Sequence, residues 1–283
     1  MMKKILSYIL CLFLLLPAGG MTGAEEESME LSLYAINVRK ADALLLRSGK
    51  TAYLIDTGTE DSYPALRNAL QAEGITSLDG VILTHTHKDH TGGLEYLLDS
   101  GIEIKQVYAS GYYNKKNESK HPAVKALNNI KSDMKVTFLL SGMTLPLDGG
   151  TLEVLGPQVK DEEAENNNSL VLLATGGGGT MLLTGDMEFP EEQNLLKSGL
   201  IPHVDIIKIG NHGEGDATSE ALIAAASPTV AVISTNTEDE PDTPDPRVIQ
   251  LLGKYGITVY QTQETENGVL ITLKNGEIAA ESK

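Results

Sequence analysis

The chain has 283 residues, a formal net charge of −17 and a single cysteine, Cys11. This acidity argues against the broad basic surface by which proteins hold the phosphates of nucleic acids. The length is enough for one large α/β domain, and no proline- or serine-rich linker divides it, so we predict a single domain.

The first 24 residues have the form of a secretory signal peptide. Lys3 and Lys4 precede an apolar run over 5–16, and the small residues of 22–24 suit cleavage after Ala24. An uncleaved membrane anchor is the alternative, but the run is too short to span a bilayer comfortably. We therefore expect residues 25–283 to be secreted, outside the cell or into the periplasm, with no stable membrane anchor.

Cleavage would also change the chemistry of the chain. It would remove two lysines and no acidic residue, which takes the formal charge from −17 to −19, and Cys11 would leave with the signal. The mature chain could then form no disulfide and could offer no cysteine ligand to a metal.

Strands and helices alternate along the rest of the chain. Short apolar runs with period two predict strands, and amphipathic stretches predict helices. In chain order these are strands at 31–38, 43–47 and 52–56, a helix at 62–73, a strand at 80–84, a helical stretch at 93–98, a strand at 107–109, a helix at 122–130, strands at 151–155, 169–174 and 180–184, a helix at 190–197, a strand at 205–209, a helix at 219–226, a strand at 230–234, a helix at 246–255, and strands at 258–260 and 269–273. Two similar halves of this kind predict an α/β fold with two sheets packed face to face, helices outside and a site at the seam.

The four consecutive glycines Gly176–Gly179 have two readings. A phosphate-binding loop would need a helix to begin directly after them, whereas the next residues form an apolar strand. We therefore predict a tight hairpin between the strands at 169–174 and 180–184.

The strongest chemical signal is the hexapeptide 85–90, which follows the strand at 80–84 and contains His85, His87, Asp89 and His90. Neutral imidazoles and a carboxylate suit zinc or another first-row metal, and four ligands within six positions cannot all reach one ion comfortably. We therefore predict two divalent ions. Zinc is the metal we expect, and manganese is the alternative. A polar surface loop is the alternative, but three of the six histidines fall in this window.

These residues match the signature His-x-His-x-Asp-His, and the chain resembles the metallo-β-lactamase superfamily. Three other segments are similar to its site loops, namely 54–58 with Asp56, 184–186 with Asp186 and 210–213 with His212. Within the superfamily, segments 37–43, 167–172 and 205–210 are similar to the hydrolase domain of ComEC proteins and its secreted, free-standing relatives. The resemblance implies a four-layer αββα fold with two packed mixed sheets, and a metal-dependent hydrolase.

The resemblance also implies roles for particular side chains. His85 and His87 would hold the first metal, and Asp89, His90 and His212 the second. Asp186 would bridge the two ions, although a turn residue is its plain alternative. Asp89 and Asp186 would also take part in catalysis.

Three further residues are expected around the ions. Asp56 is expected to orient a ligand rather than bind metal directly. Lys208 could hold an anionic substrate or pair with a neighbouring carboxylate. Most superfamily members have a third histidine before the strand at 169–174, and this chain has the segment 165–169 there. Water or the Asn168 side chain could take the missing position.

Two other departures from ComEC-like proteins bear on the chemistry. Their usual His-His-Gly-Ser is Asn211-His212-Gly213-Glu214 here, and their later His-Pro-Ser-Pro is Thr243-Pro244-Asp245-Pro246. The second substitution leaves open which group donates protons.

The sequence therefore predicts a secreted dinuclear metallohydrolase that acts on phosphodiesters, like a nuclease or like a phosphorylcholine esterase of teichoic acids. Its partner would be a small or polymeric phosphodiester, with duplex nucleic acid disfavoured by the acidic surface. Hydrolysis of a lactone or β-lactam is the first alternative. A non-catalytic binding module with a vestigial metal site is the second.

Overall fold

The computed structural model describes residues 29–283. The predicted signal peptide, 1–24, and its cleavage site lie outside the described residues. The strands are β1 (Leu31–Ile36), β2 (Leu44–Ser48), β3 (Thr51–Ile55), β4 (Ser77–Leu78), β5 (Gly80–Leu83), β6 (Glu103–Ile104), β7 (Val107–Ser110), β8 (Val136–Leu139), β9 (Thr144–Leu147), β10 (Gly150–Gly156), β11 (Val171–Gly176), β12 (Gly179–Leu183), β13 (Ile206–Lys208), β14 (Val230–Ile233), β15 (Thr258–Gln261), β16 (Gly268–Lys274) and β17 (Glu277–Ser282).

The helices lie between these strands. The α-helices are α1 (Tyr63–Ala72), α2 (Lys88–Thr91), α3 (Leu94–Leu98), α4 (Pro122–Asn129), α5 (Phe189–Lys197), α6 (Glu220–Ala226) and α7 (Pro246–Lys254). Short 3₁₀ turns cover Glu118–Lys120, Glu165–Asn168, Gly210–Gly213 and Thr262–Glu264. In the described part of the chain, no helix is long and apolar enough to cross a membrane.

Two large sheets organise the molecule. The first has the order β17-β16-β1-β2-β3-β5-β7-β8 and the second the order β15-β14-β13-β12-β11-β10-β9, while β4 and β6 form a short separate pair. In the first sheet the strands from β3 to β8 run parallel, and in the second those from β12 to β15 do. Antiparallel pairs complete both sheets, so both are mixed, as predicted.

The last two strands do not belong to the second half in which the sequence pattern placed 269–273. β16 pairs with β1 in the first sheet, where Val269 lies opposite Ala35. β1 is buried on both faces, so its backbone groups need a partner strand on each side. The hairpin of β16 and β17 meets that need on the side away from β2 and corrects the division into two sequential halves.

Three apolar cores hold the layers together. The central core lies between the sheets and receives residues from both, for example Leu33, Ile55, Leu172 and Ile206. A second core joins the first sheet to helices α1, α3 and α4, and a third joins the second sheet to α5, α6 and α7. Alternate residues of a strand point to opposite faces, so strands buried on both faces read as continuous apolar runs. The four-layer αββα arrangement is thereby confirmed.

The glycine run forms the predicted hairpin. Gly176 pairs with Gly179 across β11 and β12, and Gly177 and Gly178 have positive φ of 62° and 85°. A Cβ on Gly177 would lie 2.1 Å from the carbonyl oxygen of Leu273. Both the turn geometry and the close approach of β16 therefore require glycine here.

The parallel halves of the sheets place one set of loops at a common edge. β3 and β5 end directly before the segments that contain Asp56 and His85. In the other sheet, β12 and β13 end shortly before Asp186 and His212. Loops at the carboxyl ends of parallel strands are the usual location of sites in α/β folds.

Candidate metal centre

Loops at this edge carry the six residues predicted to bind metal. The turn after β5 and helix α2 contribute His85, His87, Asp89 and His90. Asp186 follows β12, and His212 lies in the 3₁₀ turn after β13. His212 has a positive φ of 53°, so the chain turns sharply before it, and β13 does not stay extended from Lys208 to His212.

The cluster is organised around the carboxylate of Asp186. Its Oδ2 lies 2.9 Å from His90 Nε2, 3.5 Å from His212 Nε2 and 3.7 Å from His85 Nε2. Asp89 Oδ2 lies 3.3 Å from His212 Nε2 and 3.7 Å from His90 Nε2. One ligand atom from each of Asp89, His90, Asp186 and His212 lies within 4.8 Å of the others. The structure thus brings together the set predicted for the second metal, with the predicted bridge.

The pair predicted for the first metal lies beside this group. The His85 and His87 rings meet edge to face, with centroids 4.7 Å apart. His85 is buried against Asp186, whereas His87 is exposed and is not part of the group of four. The first position is therefore more open than the second.

Neighbouring acceptors orient three of the imidazoles. His90 Nδ1 donates to Asp56 Oδ2 at 2.7 Å, and His212 Nδ1 donates to the carbonyl oxygen of Ser234 at 2.9 Å. His85 Nδ1 lies 3.1 Å from Thr84 Oγ1. In each ring the remaining Nε2 faces the cluster, which is how metal-binding histidines are usually held.

Asp56 acts on two of these rings. Its Oδ1 accepts from the Thr84 backbone N–H at 2.8 Å, and its Oδ2 accepts from the Thr84 hydroxyl at 2.7 Å. Because that hydroxyl donates to Asp56, it can accept from His85 Nδ1. Asp56 therefore orients His90 directly and His85 through Thr84, and it lies beneath the cluster.

The charges of the cluster favour a cation among these atoms. Burial lowers the pKa of an imidazole, but the carboxylates of Asp186 and Asp56 outweigh it and raise the pKa of His90 well above its ordinary value. A similar balance raises the pKa of His212 to about 9. Burial would raise the pKa of Asp186, yet His90 and His212 hold it well below its ordinary value.

The same atoms fit a divalent metal centre. Three buried atoms, His85 Nε2, His212 Nε2 and Asp186 Oδ1, have no hydrogen-bond partner. A buried acceptor without a partner is costly, and these three converge on one place. Imidazole nitrogen and carboxylate oxygen are ligands that zinc and its first-row neighbours prefer.

Asp42 is a buried member of the site that the sequence reasoning did not assign. Its carboxylate forms an ion pair with Lys208 Nζ, and both side chains are buried. Asp42 also lies 3.9 Å from His90 Nδ1 and 4.0 Å from His212 Nδ1. The signal was present, because Asp42 belongs to the segment 37–43 on which the ComEC resemblance rests.

Lys208 therefore lies beneath the site and not on a surface that a substrate could reach. Burial lowers its pKa, but Asp42 and Asp186 raise it by more, so the ammonium stays charged. Lys208 Nζ also lies 3.4 Å from the carbonyl oxygen of Gly185, in the turn that carries Asp186. Of the two roles considered for Lys208, the structure places it in the carboxylate pair.

The amide of Asn168 is hydrogen-bonded to a loop outside the group of predicted ligands. Its side chain is buried and folds onto the loop at Asp161, where Oδ1 accepts from the backbone N–H at 2.9 Å and Nδ2 donates to the carbonyl oxygen at 2.8 Å. Of the two candidates for the missing ligand, water or Asn168, this arrangement favours water, because both polar atoms of the Asn168 amide are hydrogen-bonded elsewhere.

The chain is similar in sequence to proteins of known name. The chain is 29% identical over 240 residues to ComE operon protein 3 of Bacillus subtilis, covering 82% of this chain and 30% of that protein. It is 28% identical over 224 residues to Recombination protein 2 of Haemophilus influenzae, covering 77% of this chain and 26% of that protein. The chain thus spans less than a third of the length of either relative.

Solved structures share the fold at low identity. A diphosphatase of the PhnP family aligns with a TM-score of 0.52 at 13% identity, over 90% of this chain and 100% of that one. CmlA, a diiron β-hydroxylase from Streptomyces venezuelae, aligns with a TM-score of 0.57 at 15% identity, over 88% of this chain and 54% of that one. A family model matches residues 36–237, and with this fold and this cluster the chain belongs to the metallo-β-lactamase superfamily of metal-dependent hydrolases.

Proposed function

We propose that the chain is a secreted dinuclear metallohydrolase that cleaves phosphodiesters. The observation that carries the metal-dependent part is the convergence of Asp186 with three imidazoles and Asp89 at one edge of the two sheets. His90, His212 and Asp89 would hold one ion, His85 and His87 the other, and Asp186 both. Bound divalent ions lower the pKa of water to near neutrality and take up charge that develops on a substrate oxygen.

The residues of the chain prepare that chemistry in different ways. Asp89 is the partly exposed carboxylate of the cluster, with about a third of its side chain accessible, so we assign to this side chain the orientation of the attacking water and the acceptance of its proton. Asp56 binds His90 directly and His85 through Thr84, and it would hold both rings in place to bind the ions. Thr243 stands where relatives have a histidine, and it is buried, so we assign no proton donation to it.

An acidic rim beside the site supports small rather than polyanionic substrates. We use this name for four carboxylates on the loops after His212 and β14, namely Glu214, Glu238, Asp239 and Glu240. They surround Arg39 and Lys40, which precede Asp42 by three and two residues in the sequence, because Lys40 Nζ lies 2.6 Å from Glu214 Oε1 and Arg39 binds Asp239 at 2.6 Å. Lys40 also pairs with Glu240, and Arg39 with Glu238 at 3.4 Å.

The rim lies on segments that are continuous with the catalytic group or bonded to it. Glu214 is two residues from His212, and the backbone N–H of Asp42 donates to the carbonyl oxygen of Asp89 at 3.2 Å. With Arg39 and Lys40 already neutralised, the rim leaves an excess of negative charge that would repel a long polyanion. We therefore propose small or zwitterionic phosphodiesters, such as a choline-bearing wall polymer or a short oligonucleotide, ahead of duplex DNA. The shared fold of a PhnP-family diphosphatase is compatible with phosphate chemistry.

Metal analysis of the protein purified from expression of the full chain tests the first part. We expect close to two equivalents of zinc or manganese per chain. His212→Ala should lose the better-held ion after dialysis against a mild chelator, while His203→Ala, which alters an exposed histidine outside the cluster, should keep both. Equal metal content in the two variants would contradict the role given to His212.

Parallel assays with a chromogenic phosphodiester, a cephalosporin and a lactone test the substrate. We expect turnover of the phosphodiester to exceed the other two, and Asp186→Ala to abolish it. Turnover of only the lactone or the cephalosporin would support a metallohydrolase and would contradict the proposal of a phosphodiesterase. Bound metal without turnover of any of the three would favour a binding module.

A further inference from the structure

Glu165 is a buried carboxylate that contacts the histidine loop. It lies in the 3₁₀ turn Glu165–Asn168, between β10 and β11, and is 8% exposed. Its Oε1 accepts from the hydroxyl of Thr86 at 2.5 Å and from the backbone N–H of Thr86 at 3.2 Å. Thr86 stands between His85 and His87, so Glu165 holds the backbone of the loop at the point from which both imidazoles project.

The second oxygen of Glu165 binds another loop. Oε2 accepts from the backbone N–H of Asn114 at 2.6 Å, in the loop that follows β7. Next to it, the ring of Tyr113 packs against His121 and Phe138. One carboxylate therefore joins three segments that are separated in the sequence.

The carboxylate has no cationic partner to explain its burial. Within residues 29–283, no ion pair of Glu165 is found, and its two oxygens accept from N–H and O–H donors. Charge-assisted hydrogen bonds are roughly twice as strong as neutral ones. They suit a contact that must hold a loop in one position.

His87 directly follows the residue that Glu165 binds. His87 is exposed, and its ring packs edge to face on His85. On the C-terminal side of His87, Thr91 fixes the backbone. The carbonyl oxygen of His87 accepts from the Thr91 backbone N–H at 3.0 Å and from the Thr91 hydroxyl at 2.9 Å. On the N-terminal side of His87, Glu165 supports the backbone through Thr86.

We propose that Glu165 is the positioning residue of the first metal site, where it keeps His85 and His87 in place in the region that lacks a third imidazole. This inference rests on the dinuclear centre of the proposed function. Groups that support metal ligands typically change metal affinity by about 10- to 100-fold when removed. We expect a loss of that size for the ion held by His85 and His87, and wild-type affinity for the other.

The experiment compares Glu165→Gln with Glu191→Gln in the full chain. Glu191 is a matched control, since it is 1% exposed and accepts a backbone N–H, that of Gln158, at 2.7 Å, but it contacts none of the predicted ligands. Zn²⁺ is titrated against a chelating indicator, and the absorption spectrum of the Co²⁺ form reports the ligand geometry. Glu165→Gln should weaken the binding of one Zn²⁺ ion and change the Co²⁺ spectrum. Glu191→Gln should lower only the melting temperature.

A second variant keeps the test decisive if Glu165→Gln folds poorly. Thr86→Val removes the hydroxyl that donates to Glu165, and it should lower the affinity for the same ion by several-fold. If both variants bind Zn²⁺ with wild-type dissociation constants and give an unchanged Co²⁺ spectrum, the role of Glu165 is refuted, while the proposed dinuclear centre is not. A wild-type protein that binds fewer than two ions would overturn the dinuclear centre and this inference together.

Discussion

Replacing Lys208 with methionine removes one partner of a fully buried ion pair. The side chains of Lys208 and Asp42 are 0% and 1% exposed. In the variant, the Asp42 carboxylate would remain buried and would lose the partner of its ion pair, while Asp56 stays in the same cluster with it and His90. Removing one partner of a buried pair costs about 3–5 kcal/mol.

That free energy corresponds to a measurable shift in melting temperature. For a domain of this size, 1 kcal/mol changes Tm by roughly 2–4 °C, so we expect Lys208→Met to lower it by roughly 6–20 °C. Thermal and urea unfolding are followed by circular dichroism with a chelator present. The double variant with Asp42→Asn should recover much of the loss, because no charge is then left buried and unpaired.

A surface pair provides the control. Lys254 Nζ lies 2.6 Å from Glu220 Oε1, but these side chains are 62% and 57% exposed. Lys254→Met should leave Tm close to that of the wild type, because solvent screens an exposed ion pair and such pairs contribute little to stability. If Lys208→Met and Lys254→Met destabilise equally, or if the double variant unfolds as easily as Lys208→Met, the reasoning from burial is refuted.

Three further predictions concern the rim, the pH dependence of stability and export. Glu238→Lys combined with Glu240→Lys should raise hydrolysis of an oligonucleotide relative to a zwitterionic diester by roughly tenfold at low salt, and the gain should shrink as salt screens the charges. Burial lowers the pKa of His121 to about 4, so the unfolded chain binds the proton first, and stability falls as pH drops from about 6.5 towards 4. His121→Asn should remove that loss, which is on the order of 3 kcal/mol at most, as measured by urea unfolding at each pH. Intact-mass measurement of the exported protein should give an N-terminus at Glu25.

Each of these has a contradicting result. The control for the rim is Glu277→Lys with Glu281→Lys on β17, which changes net charge equally, so the same gain in both doubles would show that only total charge matters. Parallel loss of stability with pH in wild type and His121→Asn would remove His121 as the cause. Retention of Met1 on a membrane-bound protein would refute cleavage.

The order of the elements and the histidine motif could be predicted from the sequence alone. Apolar runs of period two are a local property, so the predicted strands agree with β1, β2, β3 and β5 to within about two residues. The motif 85–90 places four candidate ligands within one turn and needs no knowledge of distant segments. The glycine hairpin is equally local, because it depends on φ at two adjacent residues.

Contacts between distant segments were decided only by the tertiary structure. Periodicity shows which face of a strand is apolar, but it does not identify the partner strand, and β16 therefore joined the first sheet against the sequence order. A lysine in an apolar strand reads equally well as a substrate contact or as a buried pair, and only packing placed Lys208 on Asp42. Glu165 likewise carried no signal of its own, since Thr86 lies 79 residues before it. Such pairings arise when packed layers exclude water and each buried charge must be satisfied by whatever group the fold brings near.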